Sequence, residues 1–404
     1  MDQLKIGIIR EGKTPPDERV PLAPEQVAAM MKEYPQVEWV VESSPIRRFK
    51  DEEYANLGVS VVTDLSDCDV LMGVKEVPKD QLIPGKTYFF FSHTIKKQPY
   101  NRDLLRKIMA DKIRLIDYEC LTNDKGRRLI GFGRYAGIVG AYNGLLAYGK
   151  RHGLYDLKPA WKCEDRAEME GELAKVKFDP ANPPKMVLTG NGRVAHGAME
   201  ILSALSIKKV SADDFLTQSY DEAVYCQLRV TDYNKRKDGG EGSTAEFFEH
   251  PDLYTDDFMR FAQVSDLYFA CHFWKDGSPY LFTREQAKSS DFKIEVVADI
   301  SCDIDGPVAS TLRPSTIADP LYGYLAESET ETDWNNPAGI TVMAVDNLPC
   351  ELPKDASRDF GQEFIQNILP ALLGDDPTSI IDRATITQDG ELTSYYSYLA
   401  DYVA

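Results

Sequence analysis

No apolar run in the 404 residues approaches the roughly 18 uncharged residues that a membrane span needs, so the reading is of a chain that does not cross a bilayer. The start, Met1 to Arg10, lacks a basic stretch followed by an apolar one; it argues against export and reads instead as a buried strand. The seven cysteines, at 68, 120, 163, 226, 271, 302 and 350, form no C-x-x-C pair and no metal-ligand spacing. They are expected to be reduced thiols in a cytoplasmic protein without a metal. Positive charge is scarce: 46 Lys and Arg against 65 Asp and Glu leave a formal charge of -19, which makes nucleic acid and anionic lipid poor partners. Any anionic ligand must then be met by a deliberate cluster of cations. There is no internal repeat and no low-complexity segment, and oligomeric state is not legible.

What is present is a rhythm. Short apolar runs at Ile6–Ile9, Val37–Val41, Val59–Val62, Val70–Val74, Tyr88–Phe91 and Ile113–Ile116 alternate with helical stretches, which predicts an α/β domain with a mostly parallel sheet. Gly137–Lys150 reads as a long helix with small residues on one side, suited to close packing. Residues 151–184 are polar and proline-bearing, a loop with at most one surface helix. A second α/β unit follows, with strands at Lys185–Thr189, Lys208–Ser211, Leu267–Phe273 and Ile294–Ile300, a helix at Ala195–Leu205, and one more apolar run at Ile340–Val345. An amphipathic helix over Phe360–Leu373 opens a tail that returns to the first domain. The expected division is 1–136 plus 345–404 for one domain and 137–344 for the other.

The segment KMVLTGNGRVAHGAMEIL has the order of a dinucleotide fingerprint: an apolar strand, Gly190-Asn191-Gly192, then an amphipathic helix. Gly190 permits the tight turn, Gly192 lets a pyrophosphate approach the backbone, and the helix N-terminus beginning at Arg193 supplies unpaired N–H groups and a positive dipole. Ala195 and Gly197 are small enough for the helix to pack close to the strand. The structural alternative is a tight turn with no ligand, but the flanking strand and helix favour NAD or NADP. An acid that holds the ribose hydroxyls of NAD belongs after the next strand, where Asp213 stands late, behind Lys208 and Lys209.

Lys75 ends the run Val70–Val74 and His93 ends Tyr88–Ser92, so both stand at the carboxyl ends of predicted parallel strands, where ligand crevices form. A lysine and a histidine facing one crevice suit proton transfer in both directions. Arg19 and the Arg127-Arg128 doublet are candidate forks for carboxylates. Glu119, Asp299, Ser301 and Asp303 also fall at strand ends. Each has a plainer reading as a solvated surface residue or a structural partner.

Four stretches tie these residues to a known group: EGKTPPDERVPLAP, GVKEVP, FFFSHTIKKQ and RLIDYECLTNDKGRRLIGFGRYAG. Together with TGNGRVAHGA, ADISCDIDGP and AVDNLPCELP, they resemble the lysine-forming saccharopine dehydrogenases and, more closely, the lysine–ketoglutarate reductase domain of bifunctional aminoadipate semialdehyde synthases. Alanine dehydrogenase and the transhydrogenase N-terminal domain are similar at DERVPLAP and VKE. The resemblance implies two Rossmann-like, doubly wound domains flanking a cleft. It makes Lys75 the catalytic proton acceptor and His93 its partner acid, with Glu76 and Glu119 tuning the pair. It assigns Arg19, Lys96, Gln98, Arg128 and Phe132 to the amino-acid substrate. It assigns Arg127, Gly192, Arg193, Asp299, Ile300 and Ser301 to the dinucleotide.

The implied reaction is reversible NAD(P)-dependent oxidative cleavage of saccharopine to lysine and 2-oxoglutarate. Three substrate carboxylates would explain why Arg19, Lys96 and Arg128 gather in an acidic chain. The rival readings are an alanine-dehydrogenase-like enzyme acting on a smaller amino acid, and a non-catalytic dinucleotide-binding regulator.

Overall fold

The computed structural model describes residues 3–374 and 376–404, so the first two residues of the N-terminal strand reading lie outside it. Its strands, in chain order, begin with β1 (Leu4–Ile8), β2 (Val37–Glu42), β3 (Ser60–Val62), β4 (Val70–Met72), β5 (Thr87–Phe90) and β6 (Arg114–Asp117). The middle of the chain supplies β7 (Lys185–Thr189), β8 (Lys208–Val210), β9 (Val224–Leu228), β10 (Asn234–Arg236), β11 (Tyr254–Asp256), β12 (Leu267–Ala270), β13 (Val296–Asp299), β14 (Leu321–Leu325), β15 (Thr330–Thr332) and β16 (Ile340–Met343). The tail adds β17 (Thr385–Gln388) and β18 (Glu391–Leu392). The strands divide between two compact units, Met1–Phe132 with Pro353–Ala404, and Gly133–Leu352.

In the first unit the sheet runs β18-β17-β6-β5-β4-β1-β2-β3, parallel from β1 to β6. The tail closes it, because β17 pairs antiparallel with β6. The strands are nearly continuous apolar runs because helices cover both faces. Trp39, Phe89, Tyr118, Phe360 and Phe364 pack on one side, and Tyr88, Phe90, Leu105, Ile108 and Leu115 on the other. The helix expected over Phe360–Leu373 is instead two, Pro353–Asn367 and Leu369–Leu373. Pro370 accounts for the break: it has no N–H to donate four residues back, and its ring clashes with the preceding turn.

The second unit has the order β15-β14-β16-β13-β12-β7-β9-β8, parallel from β8 to β16 with an antiparallel edge at β14 and β15. Both units are therefore Rossmann-like α/β folds. The sequence missed β9, whose polar Gln227 interrupts a short run, and β14, which has a glycine at its centre. The long helix begins at Gly133 rather than Gly137, which moves the unit boundary from 136/137 to 132/133. Its first turns already pack on the helix Arg193–Ala204: a Cβ at Gly137 would stand 1.9 Å from the Val194 carbonyl oxygen, and one at Gly197 2.0 Å from that of Arg134. The second boundary falls at 352/353 rather than 344/345, because the turn Leu348–Glu351 also packs on the long helix, with Asn143 Nδ2 donating to Glu351 Oε1 at 2.8 Å. Among the described residues no helix is long and apolar enough to cross a membrane, and no disulfide is formed.

Candidate functional site

Each sheet has a point beside its first strand where the strand order reverses, and the residues of interest gather at those two points. In the first unit the reversal lies between β1 and β4, where open α/β sheets place ligands at the carboxyl ends of the strands. The turn after β1 supplies Glu11, Lys13, Asp17 and Arg19, and that after β4 supplies Lys75 and Glu76. Beyond β5 come His93 and Lys96, and beyond β6 comes Glu119.

Glu11 accepts from the backbone N–H of Val74 at 2.6 Å and of Lys75 at 2.9 Å, tying the β1 turn to the β4 turn. Burial, and then the neighbouring Asp17, push its carboxyl up to about 8 against those two hydrogen bonds. Glu76 is held by a histidine and a lysine: His93 Nδ1 lies 2.7 Å from Oε1, and Lys13 Nζ 2.6 Å from Oε2. Burial opposes its charge, but the His93 and Lys13 hydrogen bonds win and bring it down to about 2. An ionised Glu76 takes the proton of Nδ1, which leaves His93 Nε2 as the nitrogen free to exchange protons.

His93 itself has φ 53°, a left-handed conformation uncommon outside glycine. The turn that enforces it is bolted to β6. Ser92 donates through its N–H at 2.9 Å and its hydroxyl at 2.5 Å to the buried Asp117 carboxylate, which also accepts from the Glu119 N–H at 2.7 Å. Strain of this kind, over-determined by its surroundings, is common where a side chain must be aimed.

Glu119 gathers the remaining cations, with Arg128 Nη2 at 2.7 Å and Lys96 Nζ at 3.2 Å from Oε1. Burial opposes its charge, yet Arg128 and Lys96 outweigh it and hold the carboxyl below its ordinary range. Arg127 and Arg128 are exposed on the hairpin closed by the Thr122–Arg128 bridge, and Gln98 is exposed beside Lys96. Arg19 already meets a carboxylate of its own chain. It is buried, forks onto Asp17 with contacts of 3.0 and 2.6 Å, and lies 4.2 Å over the Phe132 ring, which stacks on Phe360. The pairing holds Asp17, opposed by burial but won over by Arg19, down to about 2. Glu11, Lys13 and Asp17 went unread in the sequence, because a charged turn after a strand looks like any solvated loop.

In the second unit the reversal lies between β7 and β12. A cavity of about 490 Å³ opens there, lined by Gly190 to Val194, Arg229, Val230, Tyr233, Thr244, Phe248 and Cys271 to Phe273. Gly190 has φ 109°, and a Cβ on it would stand 2.4 Å from the Cys271 carbonyl oxygen, so only glycine fits. Gly192 caps the helix and has open space where its Cβ would be. The strand read over Leu267–Phe273 ends at Ala270, which frees Cys271 to Phe273 to form a wall.

Five of the expected cofactor contacts in this unit do not line the cavity. Gly197 is buried against the long helix. Asp299 accepts from Thr311 Oγ1 at 2.6 Å and Cys302 N at 2.9 Å, bracing its own turn, and Ile300 packs against Gly140. Asp213 lies in the first turn of the helix after β8, and β8 is an edge strand: β9 intervenes between it and β7. The strand beside the glycine strand is therefore Val224–Leu228, and the residue that follows it is Arg229. Ser301 is a supporting residue, its hydroxyl donating to the His272 carbonyl at 2.6 Å.

Residues 7–139 match the family model described as alanine dehydrogenase/PNT, N-terminal domain. Over 98% of its length the chain is 28% identical to alpha-aminoadipic semialdehyde synthase of Arabidopsis thaliana, and 27% identical to the mitochondrial alpha-aminoadipic semialdehyde synthase of Mus musculus. It covers 41% and 47% of those two proteins, so it spans less than half of their length. Saccharopine dehydrogenase [NAD(+), L-lysine-forming] of Yarrowia lipolytica is 25% identical over 81% of this chain and 82% of its own. Among solved structures, an L-alanine dehydrogenase superposes with a TM-score of 0.64 at 16% identity, covering 99% of this chain and all of that one. A transhydrogenase from Sinorhizobium meliloti gives 0.57 at 14%, covering 96% and all of its chain. Residues 7–139 are thus similar to an alanine dehydrogenase/PNT N-terminal domain, within a chain similar over 98% of its length to alpha-aminoadipic semialdehyde synthases and over 81% of it to a lysine-forming saccharopine dehydrogenase.

Proposed function

We propose that the chain is an NAD(P)-dependent oxidoreductase acting on a secondary amine: a saccharopine dehydrogenase of the lysine-forming kind, or lysine–2-oxoglutarate reductase. The observation that carries the reading is the set of four neighbouring strand ends in the first unit. They present Lys75, His93 and the cations Lys13, Lys96 and Arg128 among Glu76 and Glu119, in a chain whose net charge is otherwise -19. A substrate with three carboxylates needs such cations, and a reaction that moves protons at adjacent atoms needs a lysine and a histidine side by side. The similarity to a lysine-forming saccharopine dehydrogenase supports the same substrate.

In the cleavage direction Lys75 takes the proton of the secondary amine. A nicotinamide, once bound, would supply the two-electron oxidising power by which the hydride on the glutamyl α-carbon is removed. His93, its Nδ1 fixed by Glu76, directs Nε2 at the water that adds to the resulting carbon–nitrogen double bond, and then returns that proton to the departing lysine nitrogen. Lys96 and Arg128, already paired with Glu119, turn toward the substrate carboxylates, while Arg19 holds the turn through Asp17 and Phe132. Run backwards, the same groups condense lysine with 2-oxoglutarate and protonate the amine.

The second unit takes the dinucleotide, with the pyrophosphate on Gly192 and the helix N-terminus. No carboxylate lines that cavity, and Arg229 stands where a ribose-binding acid belongs, which favours the 2′-phosphate of NADP over the free hydroxyl of NAD. A cytoplasmic location suits a chain with seven cysteines and no disulfide among its described residues.

The test is turnover by the purified chain. Lysine plus 2-oxoglutarate is offered with NADPH and with NADH, saccharopine with each oxidised cofactor, and alanine in parallel. Saccharopine-specific turnover supports the reading. Turnover of alanine alone moves the assignment to an alanine-dehydrogenase-like enzyme, and dinucleotide binding without turnover to a regulator.

A further inference from the structure

The dinucleotide cavity has one polar side chain that nothing in the chain completes. His272 follows β12, lines the cavity and is only 6% exposed. Its Nδ1 lies 3.0 Å from Thr189 Oγ1 and 3.4 Å from the Tyr268 hydroxyl, and those two oxygens are 2.8 Å apart. Its Nε2 is buried and has no hydrogen-bond partner among the described residues. The backbone beneath it is fixed by Ser301, whose hydroxyl donates to the His272 carbonyl at 2.6 Å and to that of Ala270 at 3.2 Å.

Burial holds the ring far below the usual histidine range, at about 3, so it is neutral and carries a single N–H. With an acceptor oxygen present in the cavity, counting protons decides which nitrogen bears it. If Nδ1 kept the proton it would donate to Thr189, Thr189 would donate on to Tyr268, and the buried Tyr268 proton would have no acceptor. If Nδ1 is bare, Tyr268 donates to Thr189 and Thr189 donates to Nδ1, and every proton in the relay is used. The second arrangement puts the ring proton on Nε2. A buried N–H without an acceptor costs about 1–3 kcal/mol, a cost that a ligand oxygen would remove.

The relay also sits in a telling place. Thr189 is the last residue of β7, immediately before the glycine turn, and a Cβ at Gly190 would stand 3.2 Å from the His272 Cα. The ring thus lies beside the turn where the ribose–phosphate stem of a dinucleotide meets the helix N-terminus. The aromatic wall of Tyr233, Phe248 and Phe273 presents mainly ring carbon and suits the base.

We propose that His272 is a specificity-determining residue of this cavity: its Nε2–H donates to an oxygen of the ribose–phosphate stem, and Thr189 and Tyr268 are positioning residues that hold the donating tautomer. The inference rests on the reading of the cavity as the dinucleotide site. Nothing charged is needed, so the contact keeps its strength across the pH range in which the first unit's acids and bases titrate.

The test measures NADPH binding by nicotinamide fluorescence on the whole chain. Wild type binds, His272→Phe raises Kd about tenfold or more, and kcat at saturating NADPH stays within about twofold. Thr189→Val weakens binding less, and the double variant binds no more weakly than His272→Phe alone. If wild type binds no NADPH, the cavity reading falls and this inference with it. If wild type binds and His272→Phe binds equally well, the inference alone is overturned.

Should either variant fold poorly, the wild-type chain with ¹⁵N-labelled histidine answers directly. A neutral ring protonated at Nε2 from pH 5 to 9, whose Nε2 resonance moves on NADPH saturation, is the expected result. A ring that titrates between those limits, or one unmoved by NADPH, overturns the proposal.

Discussion

The Glu76 carboxylate reaches His93 Nδ1 at 2.7 Å from Oε1, while Oε2 takes Lys13 Nζ at 2.6 Å. One anion therefore orients the histidine and neutralises the lysine beside it. Glu76→Gln removes the charge and keeps the shape, so turnover is expected to fall about ten- to a hundredfold through loss of an oriented Nε2. Stability carries a second signature. The native carboxyl sits at about 2, below its ordinary value, so the stabilisation is complete above pH about 4.5 and is lost as pH falls toward 2. Urea unfolding of wild type at pH 6, 4 and 3 should lose stability across that window, while Glu76→Gln starts lower and stays flatter. A variant with the same acid-side slope as wild type would contradict the pairing.

Glu351 shows the opposite sign. It is buried, accepts from Asn143 Nδ2, and burial pushes its carboxyl up to about 8. A native value above the unfolded one means that its stabilisation is present below pH about 4.5 and is lost as pH rises through 8. Glu351→Gln keeps the acceptor and cannot ionise. At pH 9 the variant should exceed wild type in unfolding free energy by about 1–2 kcal/mol, and at pH 5 the two should agree within about 0.5 kcal/mol. Equal stability at pH 9 would refute the assigned burial cost.

How far the sequence reached depended on whether the deciding interaction was local. The strand ends bearing Lys75 and His93, the glycine turn and the returning tail were legible, because apolar periodicity and a Gly-x-Gly turn are local signals. Strand order is not local. Nothing in Lys208–Val210 or Val224–Leu228 says that the later strand inserts beside β7, and that insertion removes Asp213 from the pocket and brings Arg229 to it. The Asp17–Arg19 fork was illegible for a related reason: a guanidinium that forks onto a carboxylate two residues away reads, in sequence, like any other arginine in a charged turn. The His272 relay joins residues 189, 268 and 272 across two strands, and no spacing announces it.

Two glycines of the loop separate packing from binding. Alanine is ordinarily favoured over glycine inside a helix by about 1 kcal/mol. At Gly197 the added carbon meets the Arg134 carbonyl oxygen at 2.0 Å, a backbone atom that cannot turn aside, so Gly197→Ala should cost about 2–4 kcal/mol. At Gly192 a Cβ meets nothing, and φ is −98°, so Gly192→Ala should keep its Tm within about two degrees while binding NADPH about tenfold less tightly. Thermal melts with and without NADPH check both. The argument fails if Gly197→Ala melts like wild type or Gly192→Ala binds like it.

Arg229 and Asp213 compete for the role of cofactor selector, and the topology favours the first. Arg229 follows β9, the neighbour of the glycine strand, and lines the cavity; Asp213 stands one strand further out, on a helix after the sheet edge. A guanidinium meeting a 2′-phosphate makes charge-assisted hydrogen bonds worth about 1.5–3 kcal/mol, which NADH cannot use. Arg229→Ala should therefore lower the ratio of kcat/KM for NADPH over NADH by about ten- to a hundredfold, chiefly through KM for NADPH. The effect should shrink as salt is raised, since Arg229 is exposed and its attraction is screened. Asp213→Ala should leave the ratio within about twofold. If Asp213→Ala moves it and Arg229→Ala does not, the ribose is read after the edge strand, and the strand order does not govern cofactor choice.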